Sequence, residues 1–100
     1  GLDAIFIGTG DLSLEMGIAF KADSSASHTV DDPQIVAAID RVLAACRKNN
    51  VIPGIVTASA EDAARRIRQG FQLVTCMNDL GFFRSRSAQH IASVRELAAR

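Results

Sequence analysis

Asp3-Ala4-Ile5-Phe6-Ile7-Gly8-Thr9-Gly10-Asp11 decides how the fold is read: an apolar run, a glycine-rich turn, then a carboxylate. The run does not alternate polar with apolar residues. It therefore predicts a strand buried on both faces, as in a parallel sheet. Two glycines let the backbone turn sharply and bring its N–H groups close to a ligand. Such amides suit a carboxylate or a phosphate. Asp11 adds a hard anionic oxygen suited to Mg²⁺ or Mn²⁺. The string is not a GxGxxG, and an aspartate after a strand is more often a cap or turn residue.

The rest of the chain places that segment. Residues 12–31 carry no strong period and read as a long irregular stretch, the kind of loop that is often functional. Asp32-Pro33 is a helix start, with aspartate as cap and proline in the first turn. Ile35, Ile39, Val42 and Cys46 then form one apolar stripe, predicting a helix to about Lys48 ended by Asn49-Asn50. Residues 51–57 read as a strand, with Pro53 near its start. Ser59 opens the next helix, with Asp62 as a partial capping box, and Gly70 closes it. Glu61–Arg65 and Asp62–Arg66 have the spacing of helical ion pairs. Residues 71–76 give a third strand, 77–85 a loop, and a final helix covers about residues 87–98. The order is β-α-β-α-β-α, which implies parallel strands joined by right-handed crossovers. In such sheets ligands gather at the carboxyl ends of the strands. Three segments qualify: Gly8-Thr9-Gly10-Asp11, Val56-Thr57-Ala58-Ser59 and Cys76-Met77-Asn78-Asp79.

Composition removes several function classes. The chain has 100 residues, 48% hydrophobic and 22% charged, with a formal net charge of zero. Zero net charge argues against a basic nucleic-acid binder. The apolar fraction is too high for a disordered chain, and no apolar run approaches the roughly 20 residues that span a bilayer. No signal peptide is visible. Cys46 and Cys76 form no CxxC or metal-ligand spacing, so the expected setting is reducing and cytoplasmic. The length allows one modest domain or a piece of a larger one.

The wider string sharpens the reading. Gly1-Leu2-Asp3-Ala4-Ile5-Phe6-Ile7-Gly8-Thr9-Gly10-Asp11-Leu12-Ser13, with Met16-Gly17 after it, resembles the HpcH/HpaI aldolase family and its GVDGVFIGPADLSASMG-like segment. Asp32-Pro33-Gln34-Ile35 is similar to the family's HPEV helix start. Pro53-Gly54-Ile55-Val56, Gly70-Phe71-Gln72-Leu73-Val74 and Asn78-Asp79-Leu80-Gly81-Phe82-Phe83-Arg84 continue the likeness in order.

The resemblance implies a (β/α)8 TIM barrel, of which residues 1–100 are the last three βα units, the C-terminal part of one domain. It implies a lyase that cleaves 2-keto-3-deoxy sugar acids or related 4-hydroxy-2-ketoacids to pyruvate and an aldehyde, through a metal-stabilised enolate. Such chemistry belongs to the breakdown of carbohydrate acids or aromatic compounds. The implied cofactor is a divalent metal, Mg²⁺ or Mn²⁺, with Co²⁺ a further candidate. Asp11 falls at the family's metal-binding aspartate. Gly10 and Asp11 fall where backbone amides hold the pyruvate carboxylate, and Val56 falls on the wall of the aldehyde pocket. Thr9-Gly10 replaces the family's usual Pro-Ala or Pro-Ser, a change that keeps the backbone donors. The second metal carboxylate, a glutamine, an arginine and a histidine lie upstream in the family. No catalytic residue is therefore assigned within residues 1–100, and the isolated chain is expected to be inactive. The implied partners are a small 2-ketoacid and an aldehyde, with no nucleic acid or membrane, and a second copy of the chain reached through the C-terminal helix. The alternative is a complete, flavodoxin-like small α/β domain that binds an anion without catalysis.

Other reactive residues carry simpler readings. His28, in the long loop, lacks a partner at ligand spacing. His90 sits beside Ile91 on a partly exposed helix face. Cys46 lies on an apolar stripe and reads as a buried thiol. Cys76 lies at a strand end, where it could line a pocket, with nothing to mark it as a nucleophile. Asn78-Asp79 reads as structural. Arg84 and Arg86 read as a solvated turn or a subunit contact. Phe82 and Phe83, being adjacent, cannot both be buried on one helix face.

Overall fold

The computed structural model of the chain describes residues 1–18 and 31–100. Three strands, β1 (Ala4–Ile7), β2 (Ile52–Ile55) and β3 (Leu73–Val74), form a parallel sheet in the order β1-β2-β3. Four helices accompany them: α1 (Thr9–Glu15), α2 (Pro33–Asn49), α3 (Ala60–Gln69) and α4 (Asp79–Ala98). The alternation read from the sequence is present, with shorter strands and one additional helix.

The predicted caps are in place. The Asp32 side chain accepts from the Gln34 N–H at 2.8 Å, and the Ser59 hydroxyl accepts from the Asp62 N–H at 3.1 Å. Asn50 and Gly70 both adopt left-handed backbone, φ 55° and 104°, where the helices stop. In each case two successive N–H groups turn back to the last carbonyls: Asn50 to Arg47 and Val51 to Cys46, then Gly70 to Ile67 and Phe71 to Arg66. These are the bonds that satisfy a helix's orphan carbonyls.

Strand pairing fixes what each face of the sheet meets. Ile7 aligns with Ile55, and Ile55 with Val74. This face carries the core: Ile7, Ile55 and Phe71 pack with Ile35, Ile39 and Leu43 of α2. Cys46 is buried, as its stripe predicted. The other face aligns Ala4 with Ile52, and Phe6 with Gly54 and Leu73. Phe6, Ile52 and Leu73 are 47%, 44% and 50% exposed. The expectation that β1 is buried on both faces is therefore corrected. Right-handed crossovers in the simple order β1-β2-β3 lay their helices on one side of a sheet, and the opposite face is left bare. Phe6 lies across Gly54, where a Cβ would come within 2.6 Å of the ring.

Two further corrections concern helices. The turn expected at Thr9-Gly10-Asp11 is instead the start of a helix, α1, over residues 9–15. Gly17, at φ 70°, ends it, with Gly17 N–H on the Leu14 carbonyl and Ile18 N–H on the Ser13 carbonyl. The predicted loop over residues 77–85 is largely the first part of α4. Asn78 caps that helix by accepting from the Gly81 N–H at 2.7 Å. No residue of α4 is buried; Phe82 and Phe83 are both exposed. The remaining part of the expected irregular stretch, with His28, lies outside the described residues. Among the described residues no helix is long and apolar enough to cross a membrane.

On α3, Asp62 collects two arginines. Its carboxylate meets Arg65 at 2.7 Å and Arg66 at 3.3 Å, so the predicted Asp62–Arg66 pair forms. Arg65 turns to Asp62 and Asp31, where Glu61 had been expected as its partner. The hydrogen bond to Asp62 does most to hold the Arg65 guanidinium charged, above its ordinary pKa, against the opposing effect of partial burial.

Candidate functional site

The three candidate segments follow the ends of β1, β2 and β3, so parallel pairing gathers them at the carboxyl edge of the sheet. Val56 N–H donates to the Ile7 carbonyl at 3.1 Å, which sets Val56 beside the Ile7-Gly8 peptide. Val56 is half-buried. It follows Ile55 directly, so strand alternation turns it away from the core face and toward the side that Phe6 occupies.

Gly8 is the N-cap of α1, with extended backbone at φ −85° and ψ 100°. A glycine cap has no side chain to offer, and no side-chain hydrogen bond closes this helix start. The first N–H groups of any helix lack intrahelical acceptors, so the amides of Thr9, Gly10 and Asp11 begin the turn without a capping side chain. The first helical bond is that of Leu12 N–H to the Gly8 carbonyl at 2.9 Å. Ser13, fully buried, donates from its hydroxyl to the Gly10 carbonyl at 2.7 Å and holds that peptide in place.

Asp11 is exposed and makes no ion pair among the described residues. Its carboxylate folds back over Gly8: a Cβ built there would lie 2.9 Å from Asp11 Oδ2. An exposed carboxylate at the edge of a parallel sheet, beside open amides, can hold a hard cation and orient an anion next to it. Among the described residues no three His, Cys, Asp or Glu side chains cluster as a metal site. Asp11 thus fits a divalent metal as one oxygen ligand, and the described residues do not supply a three-side-chain site around it.

The neighbouring acids and amides are engaged otherwise. Asn78 caps α4, and Asp79 accepts from the Leu80 N–H at 2.8 Å, so both act structurally, as the sequence suggested. Cys76 and His90 are exposed. The buried Thr57 was not singled out as a functional residue from the sequence. Its N–H donates to Thr75 Oγ1 at 3.0 Å, its hydroxyl donates to the Thr75 carbonyl, and its own carbonyl accepts from the Met77 N–H at 3.1 Å. These bonds tie the ends of β2 and β3 together just beyond Val56. Only the strand register reveals them, because nothing in either segment alone pairs Thr57 with Thr75. At the other end of the strands, Cys46, Arg47, Gly70 and Gln72 line an open cavity of about 290 Å³. There Arg47 donates to the Gln69 carbonyl, stabilising the end of α3.

No family model matches the chain. Curated relatives do. The chain is 33% identical over 85 residues to a 5-keto-4-deoxy-D-glucarate aldolase of Klebsiella pneumoniae, covering 85% of this chain and 30% of that protein. It is 31% identical over 93 residues to a 4-hydroxy-2-oxo-heptane-1,7-dioate aldolase of Escherichia coli, covering 93% and 32%. Its structure matches an HpcH/HpaI aldolase/citrate lyase family protein of Burkholderia cenocepacia with a TM-score of 0.82 at 27% identity, covering 95% of this chain and 34% of that one. The chain therefore spans about a third of the length of the relatives it matches.

Proposed function

We propose, from the similarity of most of this chain to HpcH/HpaI aldolases, that the full-length protein is a divalent-metal-dependent aldolase. It cleaves 2-keto-3-deoxy sugar acids or related 4-hydroxy-2-ketoacids to pyruvate and an aldehyde. The observation that carries the reading is the Asp11 carboxylate, exposed beside the uncapped start of α1 at the carboxyl edge of the sheet.

In this reading Asp11 is one ligand of a Mg²⁺ or Mn²⁺ ion. A divalent ion there supplies Lewis-acid stabilisation of the negative charge that develops as the carbon–carbon bond breaks. The Gly10 and Asp11 amides donate to the carboxylate of the ketoacid and fix its orientation. Ser13, bonded to the Gly10 carbonyl, holds the Gly10–Asp11 peptide, whose N–H is the Asp11 donor. Val56 offers an apolar wall to the aldehyde half; its N–H on the Ile7 carbonyl keeps that wall in register with Gly8, and the Thr57–Thr75 bonds brace it from β3.

The bare sheet face supports a barrel. Three strands with helices on one side and Phe6, Ile52 and Leu73 on the other suit consecutive βα units whose inner side meets further strands. A self-contained flavodoxin-like module would leave that face in water. α4, with Leu80, Phe83, Ile91 and Val94 exposed, is proposed to pack on a second copy of the chain.

Removing the metal tests the reading. The full-length protein, dialysed against a chelator, loses pyruvate release and regains it on addition of Mn²⁺. Undiminished release after chelation contradicts metal dependence. The same assay applied to residues 1–100 alone gives no pyruvate, because one ligand and no base make an incomplete site.

A further inference from the structure

We infer that Gly8 is a positioning residue for the Asp11 carboxylate, and that the missing side chain at position 8 sets the affinity of the metal site. The inference rests on the proposed role of Asp11 and adds a determinant that the role itself does not require. The backbone of Gly8 lies at φ −85° and ψ 100°, a region open to every L-residue. Glycine is therefore not needed here for conformational freedom. What it provides is space.

The three nearest heavy atoms to a Cβ at position 8 all belong to Asp11: Oδ2 at 2.9 Å, Cγ at 3.7 Å and Cβ at 3.8 Å. Beyond the adjoining residues of the chain, a methyl group there meets the Asp11 side chain first. Asp11 lies three residues after Gly8, in the first turn of α1, so its side chain naturally returns over the cap. With the methyl present the carboxylate must shift from the place it occupies beside the open amides. Leu12 N–H still bonds the Gly8 carbonyl, so the helix start itself is preserved.

The test uses the full-length protein and Mn²⁺ alone as the probe. Gly8→Ala weakens Mn²⁺ binding on the order of 10- to 100-fold, the range typical of residues that orient a metal ligand, while the metal-free protein melts where wild type does. Asp11→Ala and the double variant Gly8→Ala/Asp11→Ala bind Mn²⁺ equally weakly, because the new methyl has nothing left to displace. If the single glycine variant is destabilised, the double variant melts with Asp11→Ala, which isolates the clash with the carboxylate. Wild-type Mn²⁺ affinity in Gly8→Ala, alongside a loss in Asp11→Ala, overturns the inference and leaves the metal role of Asp11 standing. Wild-type affinity in Asp11→Ala removes that role, and the inference falls with it.

Discussion

Asp11→Ala in the full-length protein lowers pyruvate release by about a thousandfold or more at any Mn²⁺ concentration used for wild type. The magnitude follows from the task. Lewis-acid stabilisation of developing charge is worth several kcal/mol, and each ~1.4 kcal/mol is about tenfold in rate. Asp11 is the ligand the reading assigns to that ion; Asn78 and Asp79 accept from backbone N–H groups at the start of α4. Little stability is lost with it. Asp11 is exposed, in the first turn of α1, and makes no ion pair among the described residues. Its favourable interaction with the helix start is worth about 0.3–1 kcal/mol. The variant therefore melts close to wild type while losing turnover. Turnover near that of wild type at saturating Mn²⁺ contradicts the assignment.

Asp62→Ala has the largest expected effect on stability, about 3–5 kcal/mol, the cost of leaving a buried charge without its partner. Arg66 is only 2% exposed. Its Nε lies 3.3 Å from Asp62 Oδ1 without the alignment of a hydrogen bond, and its other contact is Nη1 to Gln69 Oε1 at 3.1 Å. Truncating Asp62 leaves the guanidinium buried with a neutral amide alone. Arg65 loses the same carboxylate, but it is largely solvated and adds under about 1 kcal/mol. The double variant Asp62→Ala/Arg66→Met recovers most of the loss, because no buried charge remains to be compensated. Urea midpoints of the full-length protein measure both. Equal midpoints for Asp62→Ala and wild type show that the pair contributes nothing.

What the sequence made legible was local. Asp32-Pro33, Ser59, Asn50 and Gly70 mark helix ends because capping chemistry depends on the residue and its immediate neighbours. Cys46 was placed in the core by a stripe of helical period. α1 was missed because its seven residues are too few to show a period, and two glycines at its start suggest a turn. The stop that Gly17 supplies was the available sign. The start of α4 was hidden in the same way: Gly81 looks like a breaker, yet its N–H is the donor that Asn78 caps.

Long-range information was missing for the site as well. An apolar run such as Ala4-Ile5-Phe6-Ile7 looks the same whether one face or both are covered. Only the register, with Phe6 over Gly54 and beside Leu73, shows which face is bare. Residue type identified Asp11 as a hard-metal ligand. That its carboxylate rests over a cap without a side chain depends on the fold of α1, and the Thr57–Thr75 bonds depend on strand pairing.

Pyruvate release by the metal-loaded, full-length protein tests the central claim most directly. A panel of 2-keto-3-deoxy sugar acids and 4-hydroxy-2-ketoacids is offered in turn, and pyruvate is followed by a coupled assay. The account predicts multiple turnovers with at least one member of the panel. A folded, Mn²⁺-loaded protein that releases pyruvate from none of them contradicts it.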